Sequence, residues 1–128
     1  MIFKLKLKVY SYWLNNRSSE QFYGPIIGRW GEIKDKCLNH IRSTEHQKTN
    51  TEAGWHFTSL GGYEGVKKKQ EDSYTQETYA SPYVLDNLYT NINELHDFLG
   101  RDFNYYKDDS NWPRYLKDNK SKYGHLLI

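Results

Sequence analysis

The residues most able to do chemistry lie in "AGWHFTSLGG", at 53–62. His56 stands beside a glycine-rich turn. A neutral imidazole there can ligate a divalent metal, and a protonated one can hold a phosphate. Trp55 offers a flat face for a sugar, and Gly61-Gly62 would let backbone approach a diphosphate closely. Glu52, just before the segment, has the chemistry of a general base. Each residue also has a plainer reading: a half-buried hydrogen-bonded His, a core Trp, an ordinary turn, an exposed loop carboxylate. Lys67, Lys68 and Lys69 read as a solvated helix face. His40, His46, His96 and His125 show no paired ligand spacing. The chain holds no Ser-His-Asp set, P-loop or dinucleotide fingerprint.

The elements that must position these residues follow from periodicity. "FKLKLKVYSYWL", at 3–14, alternates with period two and predicts a strand. Phe3, Leu5, Leu7 and Val9 lie on one face, and Lys4, Lys6 and Lys8 on the other, read as solvated surface or a guarded edge. Residues 15–30 are punctuated by Asn15-Asn16, Gly24-Pro25 and Gly28, predicting a loop with a short extended piece. Trp30, Ile33, Cys37, Leu38 and Ile41 predict an amphipathic helix over 30–46. The polar run at 43–52 reads as a connection, and "AGWHF" as a brief strand entering the Gly61-Gly62 turn.

A helix over 63–77 is expected next, with Val66 and Tyr74 as its apolar anchors. Ser81-Pro82 then starts a helix whose apolar face runs through Val84, Leu85, Leu88, Ile92, Leu95 and Leu99 to a stop at Gly100. Residues 101–111 read as a loop or hairpin. Asn111-Trp112-Pro113 opens a last short helix, with Tyr115, Leu116 and Tyr123 inward and Gly124 ending it. The expected class is mixed α/β, rich in helix toward the C-terminus and short of strands. A sheet so incomplete would expose apolar edge, predicting association with itself or a partner.

Composition narrows the function classes. With 128 residues the chain fits a single domain over 1–128. Only 37% of residues are hydrophobic, but 16% are aromatic, so the core must be built from rings. Eighteen basic against 16 acidic residues leave a net charge of +2, too balanced for a dedicated nucleic-acid binder. A third reading, the Lys4-Lys6-Lys8 strand and its tyrosines as a stacking face for nucleic acid, is disfavoured on that ground. Cys37 is the one cysteine, excluding an internal disulfide. No membrane span or signal peptide is read in the chain, and the expected setting is soluble and cytoplasmic.

Taken together, Gly54, Trp55, His56, Phe57, Gly61, Gly62, Glu64 and Lys69 form a pattern that resembles the signature of glycosyltransferase family 17. That family includes the β-1,4-mannosyl-glycoprotein β-1,4-N-acetylglucosaminyltransferases. Thr58 stands where Ser is usual. "VYSYWLNN", "FYGPIIGRW", "FLGRDF" and "NWPRYLKDNKSKYGHLL" are similar to flanking elements of the family, so the resemblance covers nearly the whole chain. It departs in two places. Thr75 occupies the position of a His usual in the family, and no Asp-x-Asp-Glu-Ile-Pro type motif precedes Phe3.

The resemblance implies a partial nucleotide-sugar transferase fold of the GT-A type, corresponding to the C-terminal half of such an enzyme. The implied activity is N-acetylglucosaminyl transfer from a UDP-sugar donor to a glycan acceptor, by a truncated enzyme or half of a split one. It places Trp55, His56, Gly61, Gly62 and Lys69 at substrate and leaves Glu52 and Glu64 open as the base. A divalent ion, Mn²⁺ or Mg²⁺, would neutralise the leaving diphosphate, with His56 completing its shell. A separate N-terminal half is the implied partner. The alternative is a non-catalytic carbohydrate-binding remnant or partner subunit that keeps the acceptor-side surface.

Overall fold

A computed structural model describes residues 1–72 and 81–128. The chain is a mixed α/β protein with a five-stranded antiparallel sheet and several helices. The strands are β1 (Phe3–Ser11), β2 (Asn16–Phe22), β3 (Ile26–Ile27), β4 (Gln47–Thr58) and β5 (Tyr105–Lys107). They lie in the order β3-β1-β2-β5, and β4 also pairs with β1. The helices are α1 (Trp30–Ile33), α2 (Leu38–Ser43), α3 (Gly62–Asp72), α4 (Pro82–Asn93) and α5 (Arg114–Asp118), followed by a 3₁₀ helix at Lys120–Leu126.

The expected shortage of strands is therefore corrected. The span read as a loop carries β2 and β3, and the polar connection at 43–52 supplies the first half of β4. Neither segment alternates apolar and polar residues, so periodicity could not reveal them. Partners hold them instead. Phe3 and Lys4 register with Ile27 and Ile26, and the Lys6 N–H donates to Thr49 Oγ1 at 2.9 Å. Asn16, Arg17 and Ser18 register with Lys107, Tyr106 and Tyr105. The premise of a sheet short of strands, on which association was expected, falls with this correction.

The chain divides into two compact units, one of residues 1–8 with 21–56 and one of residues 9–20 with 57–128. In the first, the lysine face of β1 is neither open solvent nor a free edge. Lys4 is buried, and Lys8 reaches both Glu52 Oε2, at 3.6 Å, and the Trp55 ring, at 5.3 Å. The Lys8 ammonium thus has both a carboxylate and an aromatic face as partners. The expected helix over 30–46 breaks into α1 and α2 at residues 34–37. Trp30 and Leu38, expected inward, are exposed, and Ile41 alone of that face is fully buried. One buried anchor is too little to hold a long helix together.

The second unit contains the aromatic core that composition demanded. Tyr12, Val66, Leu88 and Ile92 form one buried cluster, and Tyr10, Leu14 and Trp112 another. Trp112 satisfies its indole N–H on the Leu14 carbonyl at 2.8 Å. α4 starts as predicted, the Ser81 hydroxyl accepting from the Val84 N–H. Ser81→Ala is expected to cost about 1 kcal/mol, read from a denaturant midpoint. The helix ends at Asn93, not at Gly100, because Leu95 takes φ +56°. Just beyond, the Tyr12 hydroxyl donates to the His96 carbonyl (2.8 Å) and accepts from the Phe98 N–H (2.9 Å). Burial and the neighbouring Tyr105 raise the Tyr12 pKa, keeping that hydroxyl protonated.

The C-terminal segment reads partly as expected. Leu116 and Tyr123 pack on the second cluster, but Tyr115 is exposed, correcting its inward assignment. The expected helix over 63–77 is seen as α3 to Asp72. Tyr74, Thr75 and Glu77 lie outside the described residues. Among the described residues, no helix is long and apolar enough to cross a membrane.

Candidate functional site

The residues singled out from the sequence fall in both units. Glu52, Trp55 and His56 stand on β4 in the first, and Gly61, Gly62, Glu64 and Lys69 stand in the second. The motif folds as a strand end, a tight turn and a helix. Ser59 (φ +51°), Gly61 (φ +97°) and Gly62 (φ +60°) make the turn in left-handed backbone.

In the first unit His56 stacks on Phe22, ring centroids 4.2 Å apart and planes 18° from parallel. Gly24 makes that possible, since a Cβ there would fall 2.3 Å from the Phe22 ring. The stacked pair walls a cleft of about 570 Å³ whose apolar side is Leu7, Pro25, Ile26, Ile33 and Leu38. Its polar side chains are His56 with Asn39 and Arg42 of α2. Such a volume, mostly apolar with a few polar groups, is that of small-molecule sites. Glu52 faces Lys8, so its carboxylate carries a compensating cation rather than standing alone as a base. Trp55 keeps 41% of its surface exposed while one approach to its ring is taken by the Lys8 ammonium.

In the second unit the glycine pair does structural work. The N–H groups of Gly61 and Gly62 both donate to the Tyr12 carbonyl, at 3.0 and 3.2 Å, so these amides are already engaged. A Cβ on Gly62 would meet the Trp13 ring at 2.8 Å. Lys69 returns from the last turn of α3 to the strand end, donating to Thr58 Oγ1 (2.9 Å) and Ser59 Oγ (3.2 Å). Desolvation lowers its pKa. Glu64 is exposed in the first turn of α3, where a carboxylate complements the helix dipole.

A divalent ion is poorly served by these residues. Among the described residues no group of three or more His, Cys, Asp or Glu side chains converges. His56 looks into a largely apolar cleft and Glu52 into Lys8. The donor set does not fit a metal shell by itself.

Sequence reasoning missed Phe22, Asn39 and Arg42. The first lay in an apparent loop, and the other two on the polar side of an apparent helix. It also passed over Asp108, which is buried and holds Arg17 at 3.0 Å, Tyr10 at 3.2 Å and the Ser110–Asn111 turn. No family model, curated protein or solved structure matches the chain.

Proposed function

We propose that this chain is the C-terminal half of a glycosyltransferase of the family 17 type. It has a partial GT-A-like fold and serves transfer of N-acetylglucosamine from a UDP-sugar to a glycan. The observation that carries the reading is the position of His56. The residue at the centre of the family-like motif forms the wall of a cleft with small-molecule dimensions. The strand, turn and helix into which the motif folds lend further support. The acidic motif that would hold metal and diphosphate belongs to an N-terminal half, on this chain or another. Glu52, paired to Lys8, and Glu64, exposed in the first turn of α3, both stay as candidates for the base.

The test is calorimetric titration of UDP, with and without Mn²⁺, into the chain and into His56→Ala. Binding that weakens at least about tenfold in the variant is the expected result, with Mn²⁺ strengthening it once the N-terminal half is supplied. Binding indifferent to both EDTA and His56→Ala would overturn the reading.

The exposed indole of Trp55 favours one alternative, a non-catalytic carbohydrate-binding remnant. Glycan binding that persists in EDTA, ignores UDP and is lost in Trp55→Ala would select it.

A further inference from the structure

We propose that Arg42 makes the His56 cleft a site for a small organic anion, its flat body on the apolar wall and its phosphate or carboxylate on the guanidinium. This rests on the reading of the cleft as a ligand site, but needs neither a metal nor a sugar. Asn39 and Arg42 are three residues apart on α2, which puts them on the same helix face, and both line the cleft.

Arg42 is the better anchor because its charge is unspent. Among the described residues no carboxylate lies within 4.0 Å of its guanidinium, and three acids of the same unit have other partners. Glu32 pairs with the N-terminal amine, Asp35 with Lys34 and Glu52 with Lys8. A guanidinium offers a planar fork that matches two anionic oxygens at once, and the Asn39 amide adds a donor one turn away. The Phe22–His56 stack adds aromatic surface to the cleft, and Ile26, Ile33 and Leu38 add aliphatic surface. Apolar walls with one fixed cation select molecules that carry both an apolar body and a negative head. A bare phosphate would leave the walls unused, and a neutral ring would leave the guanidinium unused.

The experiment is an NMR titration of ¹⁵N-labelled chain, in metal-free and phosphate-free buffer, with phenyl phosphate, benzoate and benzyl alcohol. Both anions are expected to shift the signals of Asn39, Arg42 and His56, with benzyl alcohol weaker by about tenfold or more. The stronger of the two anions identifies the head group. Arg42→Gln should cost the anions about tenfold and leave benzyl alcohol unchanged. Asn39→Asp, which sets a carboxylate beside the guanidinium, should weaken the anions by a similar factor. Both positions are exposed, so an unchanged amide spectrum verifies the fold of each variant.

Equal binding of anion and alcohol, or indifference to Arg42→Gln, overturns the proposal. UDP binding that needs His56 but ignores Arg42→Gln would overturn it while leaving the glycosyltransferase reading standing. Arg42-dependent phenyl phosphate binding without any UDP binding would do the reverse.

Discussion

Asp108→Ala is expected to remove about 3–5 kcal/mol of stability, the cost of breaking a buried ion pair from one side. Asp108 lies just beyond β5 and is only 7% exposed. Its carboxylate accepts from the Arg17 guanidinium, the Tyr10 hydroxyl, the Ser110 N–H and hydroxyl, and the Asn111 N–H and amide. Deleting it leaves a half-buried cation without this partner and strips acceptors from several donors. Removing both charges, in Arg17→Met with Asp108→Ala, should cost less than the sum of the single changes. A loss under about 1 kcal/mol in the single variant, from urea unfolding, would mean the pair is effectively solvent-screened.

The same carboxylate sets an acid limit. Burial by itself would raise its pKa, but hydrogen bonds from Asn111, Arg17 and Ser110 outweigh burial and hold it well below the usual carboxylate range. A folded pKa depressed below the unfolded value contributes stability above the unfolded pKa, near 4, and loses it as pH falls through the folded one. The Asp108 contribution should thus be full at neutral pH and erode only below about pH 4. The stability difference between the chain and Asp108→Asn should shrink over that same range.

Gly65→Ala should cost about 3 kcal/mol, at the upper end of what overpacking does, although alanine is the better helix former by about 1 kcal/mol. A Cβ at Gly65 would stand 2.2 Å from the Leu60 carbonyl oxygen and 3.1 Å from its carbon. These are backbone atoms and cannot rotate aside, so the first turn of α3 would have to leave the turn at 59–62. Two hydrogen bonds go with it: Lys69 would lose its hold on the Thr58 and Ser59 hydroxyls. Hydrogen exchange should accelerate through α3 while α4 keeps its protection. Gly31→Ala in α1 is the control, because nothing lies within 4 Å of its added carbon. An unchanged melting temperature in Gly65→Ala would show that the turn yields cheaply.

Some of this protein was decided by its sequence alone. β1 follows from strict alternation at its start, and the start of α4 from a Ser-Pro cap and a spaced apolar face. Both signals are local, and both elements start where they were read. An aromatic core was required by a chain with few aliphatics, and Tyr10, Tyr12 and Trp112 make it. The types of residue at the site, His56 and Trp55 with a glycine turn after them, were legible for the same reason.

Tertiary structure decided the rest. β2 and most of β4 are polar, and they are strands because β1 and β5 supply partners for their backbones. α4 stops early where the hydroxyl of Tyr12, more than 80 residues away, claims the backbone at 96 and 98. Phe22 and Arg42 enter the cleft only once β2 and α2 are set beside the end of β4. A residue's own type and neighbours announce what it can do. What it does do here depends on partners distant in sequence, whose pairing no local period encodes.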